Sequence, residues 1–485
     1  MKIVIAASEA FPFCKTGGLA DVVGCVANYL SREKDIELIL FLPRYRDIGK
    51  TAFSPKKLSG SFLIPVADRL DDANLYSVDW GKVRVYFVDN PKYFDRPGLY
   101  RNEAGDYLDN DERFIFFQRA VLEGCKFMGF KPDIIWSHDW QTGLLPAYLK
   151  TLYRIDAFFV KTKTIFTIHN IAYQGFFSRD TFIKAGFSWL DFTPDKLEYY
   201  GGVNFLKAGI NYADVVTTVS PSYAKEITED PFFGRGMEGV LRAKASRLFG
   251  ILNGIDIDIW NPATDNFIYR EYDSKNFWRI KPLCKKAFQK EFGLKQDKNV
   301  ILAGCVTRLD VQKGIDIIID VCEEFIGKFQ FVILGTGSAD IAEKLNSLAK
   351  KYAGSFVFMN CFNEEIAHKI YASSDIFLMP SRFEPCGLSQ MIACRYGSLP
   401  VVSQVGGLKD TIFYYPDDPV SSNGFVIPKN DVSGLSSILG HIISLYSSRE
   451  VWNTIVRNAM NWDFSWSKSV SEYIRLFEKV LNNNF

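Results

Sequence analysis

Residues 2–24 read KIVIAASEAFPFCKTGGLADVVG, and the fold turns on how that stretch divides. KIVIAAS is a short apolar run of strand character, while Leu19, Val22, Val23, Val26, Tyr29 and Leu30 recur at helical spacing. Between strand and helix lie Lys15, Thr16, Gly17 and Gly18. Glycines at such a junction leave backbone N–H groups bare and let a ligand approach the main chain. A helix N-terminus with Lys15 just ahead of it suits an anion, most simply phosphate. A Gly-rich turn carrying a surface lysine reads the same residues without a ligand, and one junction does not separate the two readings.

Working outward, the strand-to-helix pattern repeats. IELILFLP (36–43), VRVYFVD (83–89), DIIWSH (133–138), TIFTIHN (164–170) and DVVTTVS (214–220) each end in a polar or glycine-containing loop. GILNGIDIDIWNP (250–262) closes this series with turn residues and a proline, and a charged stretch without clear periodicity follows to about 297. A second series then starts with NVILAGCVTRLD (299–310), FQFVILGTGS (329–338), SFVFMNCF (355–362), DIFLMPSRFEPCG (375–387) and LPVVSQVGG (399–407). Alternation of this kind predicts an α/β protein of two doubly wound parallel sheets with a hinge near Ile255. Ligands of open α/β sheets bind at the carboxyl ends of the strands, which directs attention to the loops named here. SVSEYIRLFEKVLNNN (469–484) places Val470, Tyr473, Ile474, Leu476, Phe477 and Val480 on one helical face. KTGGLADVV (15–23) and QVGGLKDTI (404–412) share G-G-L-x-D, which predicts a similar Gly-rich loop in each half.

Composition bounds the function. The 485 residues suit about two to three domains. A net charge of +1 gives no electrostatic case for nucleic acid or an anionic membrane, so any anion site is local. No apolar run approaches the roughly 18 residues of a membrane span, and Glu9 interrupts the first strand as a signal-peptide core. Nine scattered cysteines without a C-x-x-C point to reduced thiols and a cytoplasmic location. With four histidines, a His-rich metal centre is not expected.

Chemistry concentrates in four loops. Arg308 and Lys313 stand at a strand's carboxyl end before a helix, a fork and a point charge suited to a diphosphate. Ser381 to Leu388 place Glu384 ahead of small residues at a helix start. A carboxylate beside an anion site needs a hydroxyl-rich or cationic partner, so Glu384 is a candidate for gripping a sugar or a developing positive charge. In the first half, His138 with Asp139 and His169 with Asn170 end two strands. Solvated cations, a helix-start acid and structural histidines are the alternatives for these groups.

Taken in order, KTGGLADVVG, FDRPGLY, HDWQTGLLPAYL, TIHNIAYQG, GILNGID, TRLDVQKG, SRFEPCGLSQM and VGGLKDT closely resemble bacterial glycogen synthases and the related plant starch synthases, glycosyltransferase family 5. The resemblance runs from Lys2 to about Trp466. It implies the GT-B arrangement, two Rossmann-like domains facing a deep cleft, with a C-terminal helix crossing back to the first domain. The expected divisions are 1–254 (acceptor side, with the KTGGL donor loop), 255–465 (nucleotide sugar) and 466–485 (the returning helix). It further implies transfer of glucose from ADP-glucose, or UDP-glucose in some members, to the 4-hydroxyl at the non-reducing end of an α-1,4-glucan, with retention and with no metal or other cofactor. Lys15, Gly17 and Gly18 match the donor loop, Asp21 its acid, Arg308 and Lys313 the pair on the diphosphate. Glu384 matches the carboxylate at the donor glucose, lined by Cys386, Gly387 and Leu388. His169 matches the histidine beside the reacting carbon, Asp139 and Asn253 match polar groups around the donor, and Tyr100 lies toward the acceptor glucan. The resemblance thus makes Glu384, His169, Arg308, Lys313 and Lys15 the catalytic set.

Two departures from the family pattern are visible. Val405 stands where Thr is usual, removing a hydroxyl near the phosphates, and Phe362 replaces an expected Tyr near the base. A sucrose-synthase-like enzyme is the nearest rival, but its second Glu, eight positions after the first, is here Ile392. GTGSAD (335–340) lacks the third glycine of a dinucleotide fingerprint. A glucan phosphorylase requires pyridoxal phosphate, and a non-catalytic glucan-binding protein would be expected to lose Lys15, Glu384 or Arg308.

Overall fold

The computed structural model describes residues 1–50 and 53–484; Phe485, the last residue of the expected returning segment, lies outside the described residues. The chain forms two compact units, Met1–Asn253 with Trp466–Phe485, and Gly254–Ser465.

In the first unit a ten-stranded sheet runs, from one edge, through Leu248–Gly250, Val215–Thr218, Lys163–Ile168, Ile134–His138, Lys2–Ala6, Glu37–Pro43 and Val83–Asp89, all parallel. Parallel strands covered on both faces read as unbroken apolar runs. Ile3, Val4, Ile5 and Ala6 accordingly have no exposed surface. Beyond Val83–Asp89 the sheet turns antiparallel through Arg69–Trp80, which also pairs with Phe62–Val66. Those two strands and a small sheet of Phe176–Phe177, Gly202–Asn204 and Glu198–Tyr199 lie outside the series predicted above. The strand Lys2–Ala6 sits centrally, with Glu37–Pro43 on one side and Ile134–His138 on the other. The chain therefore reverses its winding direction beside the first strand. Such a switch point opens a crevice at the carboxyl ends, into which the loops after Ala6, His138 and Ile168 project.

The C-terminal helix, Trp466–Asn482, returns to this unit. Tyr473 and Phe477 set their rings 4.6 and 5.3 Å from that of Trp136, and Val470, Leu476 and Val480 are buried with them. The apolar stripe expected from the spacing is the buried face.

The second unit holds a six-stranded parallel sheet in the order Phe356–Met359, Phe329–Leu334, Ile301–Val306, Ile376–Met379, Leu399–Val402, Phe425–Val426. Its switch point lies between Ile301–Val306 and Ile376–Met379, so the Arg308 and Glu384 loops emerge side by side. The stretch read as unpatterned contains a helix, Phe277–Glu291. Its periodicity is disguised because lysines occupy inward positions. Lys281 is buried, and its ammonium donates to the carbonyls of Tyr371, Ala372 and Tyr396 and to Ser398 Oγ, all within 3.1 Å. Lys285 is buried against Asp375 at 2.6 Å.

Candidate active site

In the first unit the strand Lys2–Ala6 leads into a loop organised by an acid that sequence reading treated only as a strand breaker. Glu9 is buried, and its carboxylate accepts the backbone N–H of Thr16, the Thr16 hydroxyl at 2.9 Å and the Tyr100 phenol at 2.8 Å. Burial raises its pKa despite these donors. The Tyr100 hydroxyl also lies 2.7 Å from Ser8 Oγ. Glu9 thereby ties the Lys15–Gly18 turn to the body of the unit. A lone acid after a strand was the only sequence signal for it.

The helix Gly18–Leu30 starts at this turn, with Gly17 as its N-cap and no side chain capping the first amides. Lys15 Nζ lies 2.7 Å from Asp21 Oδ1, both groups being partly exposed. A Cβ at Gly17 or Gly18 would touch nothing within 4 Å, and neither residue has a positive φ. Nothing inside the unit requires glycine there. The second Gly-Gly pair is different: a Cβ on Gly406 would stand 2.0 Å from the Glu384 carbonyl, and one on Gly407 2.3 Å from that of Cys386. The shared G-G-L-x-D motif is thus used in two ways, open in one unit and as internal packing in the other.

At the neighbouring strand ends, Asp139 adopts φ +56° with ψ −178°, a positive-φ conformation uncommon for a side-chain-bearing residue. Its N–H donates to Thr167 O at 2.9 Å and its Oδ1 accepts the His169 N–H at 2.7 Å. Burial, aided by the charge of Glu9, pushes the Asp139 carboxyl up to about 7. His169 Nε2 meets His138 Nδ1 at 2.9 Å. Burial holds His169 down at about 3 and His138 well below its usual value, so the pair is neutral near pH 7 and shares one proton across the contact. Asn253 follows the edge strand Leu248–Gly250, and its Oδ1 is buried without a hydrogen-bond partner among the described residues.

In the second unit, Lys313 and Glu384 meet directly. The ammonium lies 2.9 and 2.6 Å from the two carboxylate oxygens, and Ser381 Oγ donates to Oε2 at 3.0 Å. Glu384 is 6% exposed. Gln312 binds its loop to the next, donating from Nε2 to Phe383 O at 2.9 Å and accepting the Arg382 N–H at 2.8 Å. Gly314, at φ +67°, is required by this closeness, since a Cβ would stand 2.0 Å from Pro380 O. Gln390 Nε2 donates to the carbonyls of Cys386 and Gly387 at 3.0 Å, shaping the turn that ends at Leu388, the N-cap of Ser389–Arg395. Arg308 is exposed at the mouth of its loop. Phe362 is 82% exposed at the end of its strand's loop. Among the described residues no group of three or more His, Cys, Asp or Glu is placed to hold a metal ion.

Lys15, Gly17, Gly18, Asp21, Tyr100, Asp139, His169 and Asn253 therefore line the carboxyl side of the first sheet. Arg308, Lys313, Glu384, Cys386, Gly387 and Leu388 gather at the switch point of the second.

A family model described as the starch synthase catalytic domain matches residues 2–243, and one described as glycosyl transferases group 1 matches 285–460. The glycogen synthase of Elusimicrobium minutum is 52% identical over 482 residues, covering 99% of this chain and all of the relative. The chain belongs to the glycogen synthase and starch synthase family. A second glycogen synthase, from Syntrophotalea carbinolica, is 42% identical with 99% of each chain covered. Among solved structures, the catalytic domain of starch synthase IV from Arabidopsis thaliana, bound to ADP and acarbose, superposes with TM-score 0.90 at 32% identity over 99% of each chain. Sucrose-phosphate synthase from Thermosynechococcus elongatus shares the fold at 16% identity, TM-score 0.62, with all of each chain covered. As a glycogen or starch synthase family member the chain is a GT-B glycosyltransferase, and no helix among its described residues is long and apolar enough to cross a membrane.

Proposed function

We propose that this enzyme transfers glucose from ADP-glucose to the non-reducing 4-hydroxyl of an α-1,4-glucan with retention of configuration, in the cytoplasm. What carries the reading is the pairing of open glycines with cations. Gly17 and Gly18 have no internal reason to lack side chains, and they stand beside Lys15 at an uncapped helix start. Backbone amides and an ammonium in that geometry suit a phosphate. The starch synthase IV relative was solved with ADP, which favours adenine over uracil as the donor base.

In this reaction the bond from the anomeric carbon to the diphosphate oxygen breaks, and a bond to the acceptor O4 forms on the same face. The acceptor proton passes to the leaving phosphate oxygen. Charge grows in opposite senses at the two ends of the breaking bond, positive on the sugar and negative on the phosphate. Arg308, Lys313 and Lys15 stabilise the second, and fixed cations do so without reorganising during the step. Glu384 faces the first, and the neutral His169 leaves the sugar side free of added positive charge. The Lys313–Glu384 contact holds both groups in place before a donor arrives. Asp21, Asp139, Asn253, Cys386, Gly387 and Leu388 complete the donor set, and Tyr100 serves the acceptor side through the loop that Glu9 binds. Val405 withholds a hydroxyl from the phosphates, and Phe362 offers the base a ring face without a polar contact.

The test is incorporation of labelled glucose into glycogen with ADP-glucose and UDP-glucose supplied separately. Transfer from ADP-glucose with an α-configured product is the expected result. Transfer from UDP-glucose alone would refute the donor assignment, and no transfer from either would refute the reaction.

A further inference from the structure

The strand pair Glu198–Tyr199 and Gly202–Asn204 is joined by the two-residue turn Tyr200–Gly201, because Tyr199 pairs with Gly202. Both turn residues have positive φ, +45° at Tyr200 and +79° at Gly201. Turns of this kind take Asn, Asp or Gly at the first position, since a bulky side chain is strained in the left-handed region. Tyrosine is therefore an unfavourable choice for the turn, and the interior does not explain it. The Tyr200 ring is 84% exposed. It meets the Tyr199 ring edge-on at 4.6 Å, and Tyr199 in turn meets Phe176 edge-on at 6.0 Å. Phe176 is itself 54% exposed. Strain kept in order to hold an aromatic face in water points to an occupant outside the chain.

The surroundings say which occupant. Phe176 lies seven residues beyond His169, on the loop that leaves the same strand. That loop is anchored next to Asp139: a Cβ on Gly175 would stand 2.5 Å from the Trp140 ring, and Trp140 packs on Phe177 at 5.5 Å. Gln174 binds the loop to the strand pair, accepting from Asn204 Nδ2 at 2.9 Å, and Phe205 N–H donates to Gly175 O at 3.0 Å. Gly202 has no room for a Cβ, which would lie 2.3 Å from Phe177 O, so the hairpin is seated tightly on Phe176–Phe177. The Gly201 N–H donates to Glu198 Oε1 at 2.7 Å and holds the turn closed. The exposed rings thus form a rigid ledge continuous with the His169 loop. Phenyl and phenol faces without a dominant charge suit a neutral polymer that presents C–H faces and hydroxyls.

We propose that Tyr200 and Phe176 form a binding ledge for the acceptor, on which glucose units of an α-1,4-glucan rest their apolar faces beyond the reacting end. The inference rests on the acceptor assigned above. Its test is Tyr200→Asn, which keeps a residue suited to the turn and removes the ring, with Tyr200→Phe as the variant that keeps the face. Mobility in native gels containing glycogen reads glucan binding without any turnover. Steady-state transfer from ADP-glucose reads the KM for glycogen and for the donor separately. Tyr200→Asn should migrate with less retardation and raise the glycogen KM about three- to tenfold, the range of one lost stacking contact. The donor KM should hold, Tm should stay or rise, and Tyr200→Phe should behave nearly as wild type. Wild-type retardation and glycogen KM in Tyr200→Asn would overturn the ledge, as would a lowered Tm with both KM values raised together. If the wild-type chain transferred glucose from neither donor, the proposed reaction would fall, while gel retardation would still decide whether Tyr200 holds a glucan.

Discussion

Replacing Glu384 with Gln separates the two roles that its contacts allow, a counter-ion for Lys313 and a participant at the donor sugar. The amide keeps the length and one oxygen, so Ser381 Oγ and Lys313 Nζ retain an acceptor while the charge is lost. At about 3 Å and an effective dielectric near 20, the Coulomb attraction of such a pair is about 5 kcal/mol. Desolvation of two nearly buried groups offsets much of this. A net loss of about 1.5–3 kcal/mol is the scale for a hydrogen bond to a charged group. In a unit of this size that lowers Tm by roughly 3–12 °C. If Glu384 also faces charge that develops at the sugar, Glu384→Gln reduces kcat by about 10²–10³-fold with little change in donor KM. Adding Lys313→Met removes the stranded ammonium and should recover most of the lost Tm, because a buried ion pair exchanges for apolar packing at small cost. It should not recover kcat. The assays are thermal unfolding without substrate and steady-state glucosyl transfer to glycogen. A lowered Tm with near-normal kcat would refute the reasoning and leave Glu384 as an internal counter-ion.

Asp139→Asn keeps an oxygen for the His169 N–H but cannot ionise. With the native carboxyl pushed up to about 7, the folded chain holds a proton that the unfolded chain releases near its ordinary carboxylate value, so this group's contribution to stability falls as pH rises between the two and is level above. The stability of the variant relative to wild type should therefore increase by about 2–3 kcal/mol from about pH 5 to about pH 8, and a pH-independent difference in Tm would contradict it. Gly18→Ala enters open space at a helical position, so Tm should stay or rise while the donor KM increases about tenfold; an unaltered KM would show that nothing approaches that backbone. Transfer should proceed at full rate in EDTA, and loss of activity that magnesium restores would place a metal at the diphosphate after all.

The division of labour between sequence and tertiary structure is clear in particular residues. Strands such as KIVIA and ELILFLP were legible because a parallel strand buried on both faces is apolar throughout, a property of the chain itself. The returning helix was legible for the same reason, since Val470, Tyr473, Leu476, Phe477 and Val480 share one stripe. The helix Phe277–Glu291 was not, because Lys281 and Lys285 fill its inward face. A lysine is acceptable there only when carbonyls and a carboxylate from distant strands and helices meet its ammonium. Glu9 was missed on the same ground. Its partner Tyr100 is 91 positions away, and no local pattern marks an acid that organises a loop through a distant phenol.

The motifs themselves fixed the residue types of the site. Lys15, Arg308, Lys313 and Glu384 are visible in the chain because each stands between an apolar strand and the α-helix that follows it, a pattern that local periodicity shows. What each charge does was decided by proximity in space. Glu384 became the partner of Lys313, and Asp139 a carboxyl poised near neutrality, through burial and neighbours that sequence spacing does not encode. The two G-G-L-x-D loops make the same point, for their letters agree while their surroundings do not. Periodicity and residue type are local properties carried by the chain. Desolvation, ion pairing and steric room depend on which distant segments the folded backbone brings together.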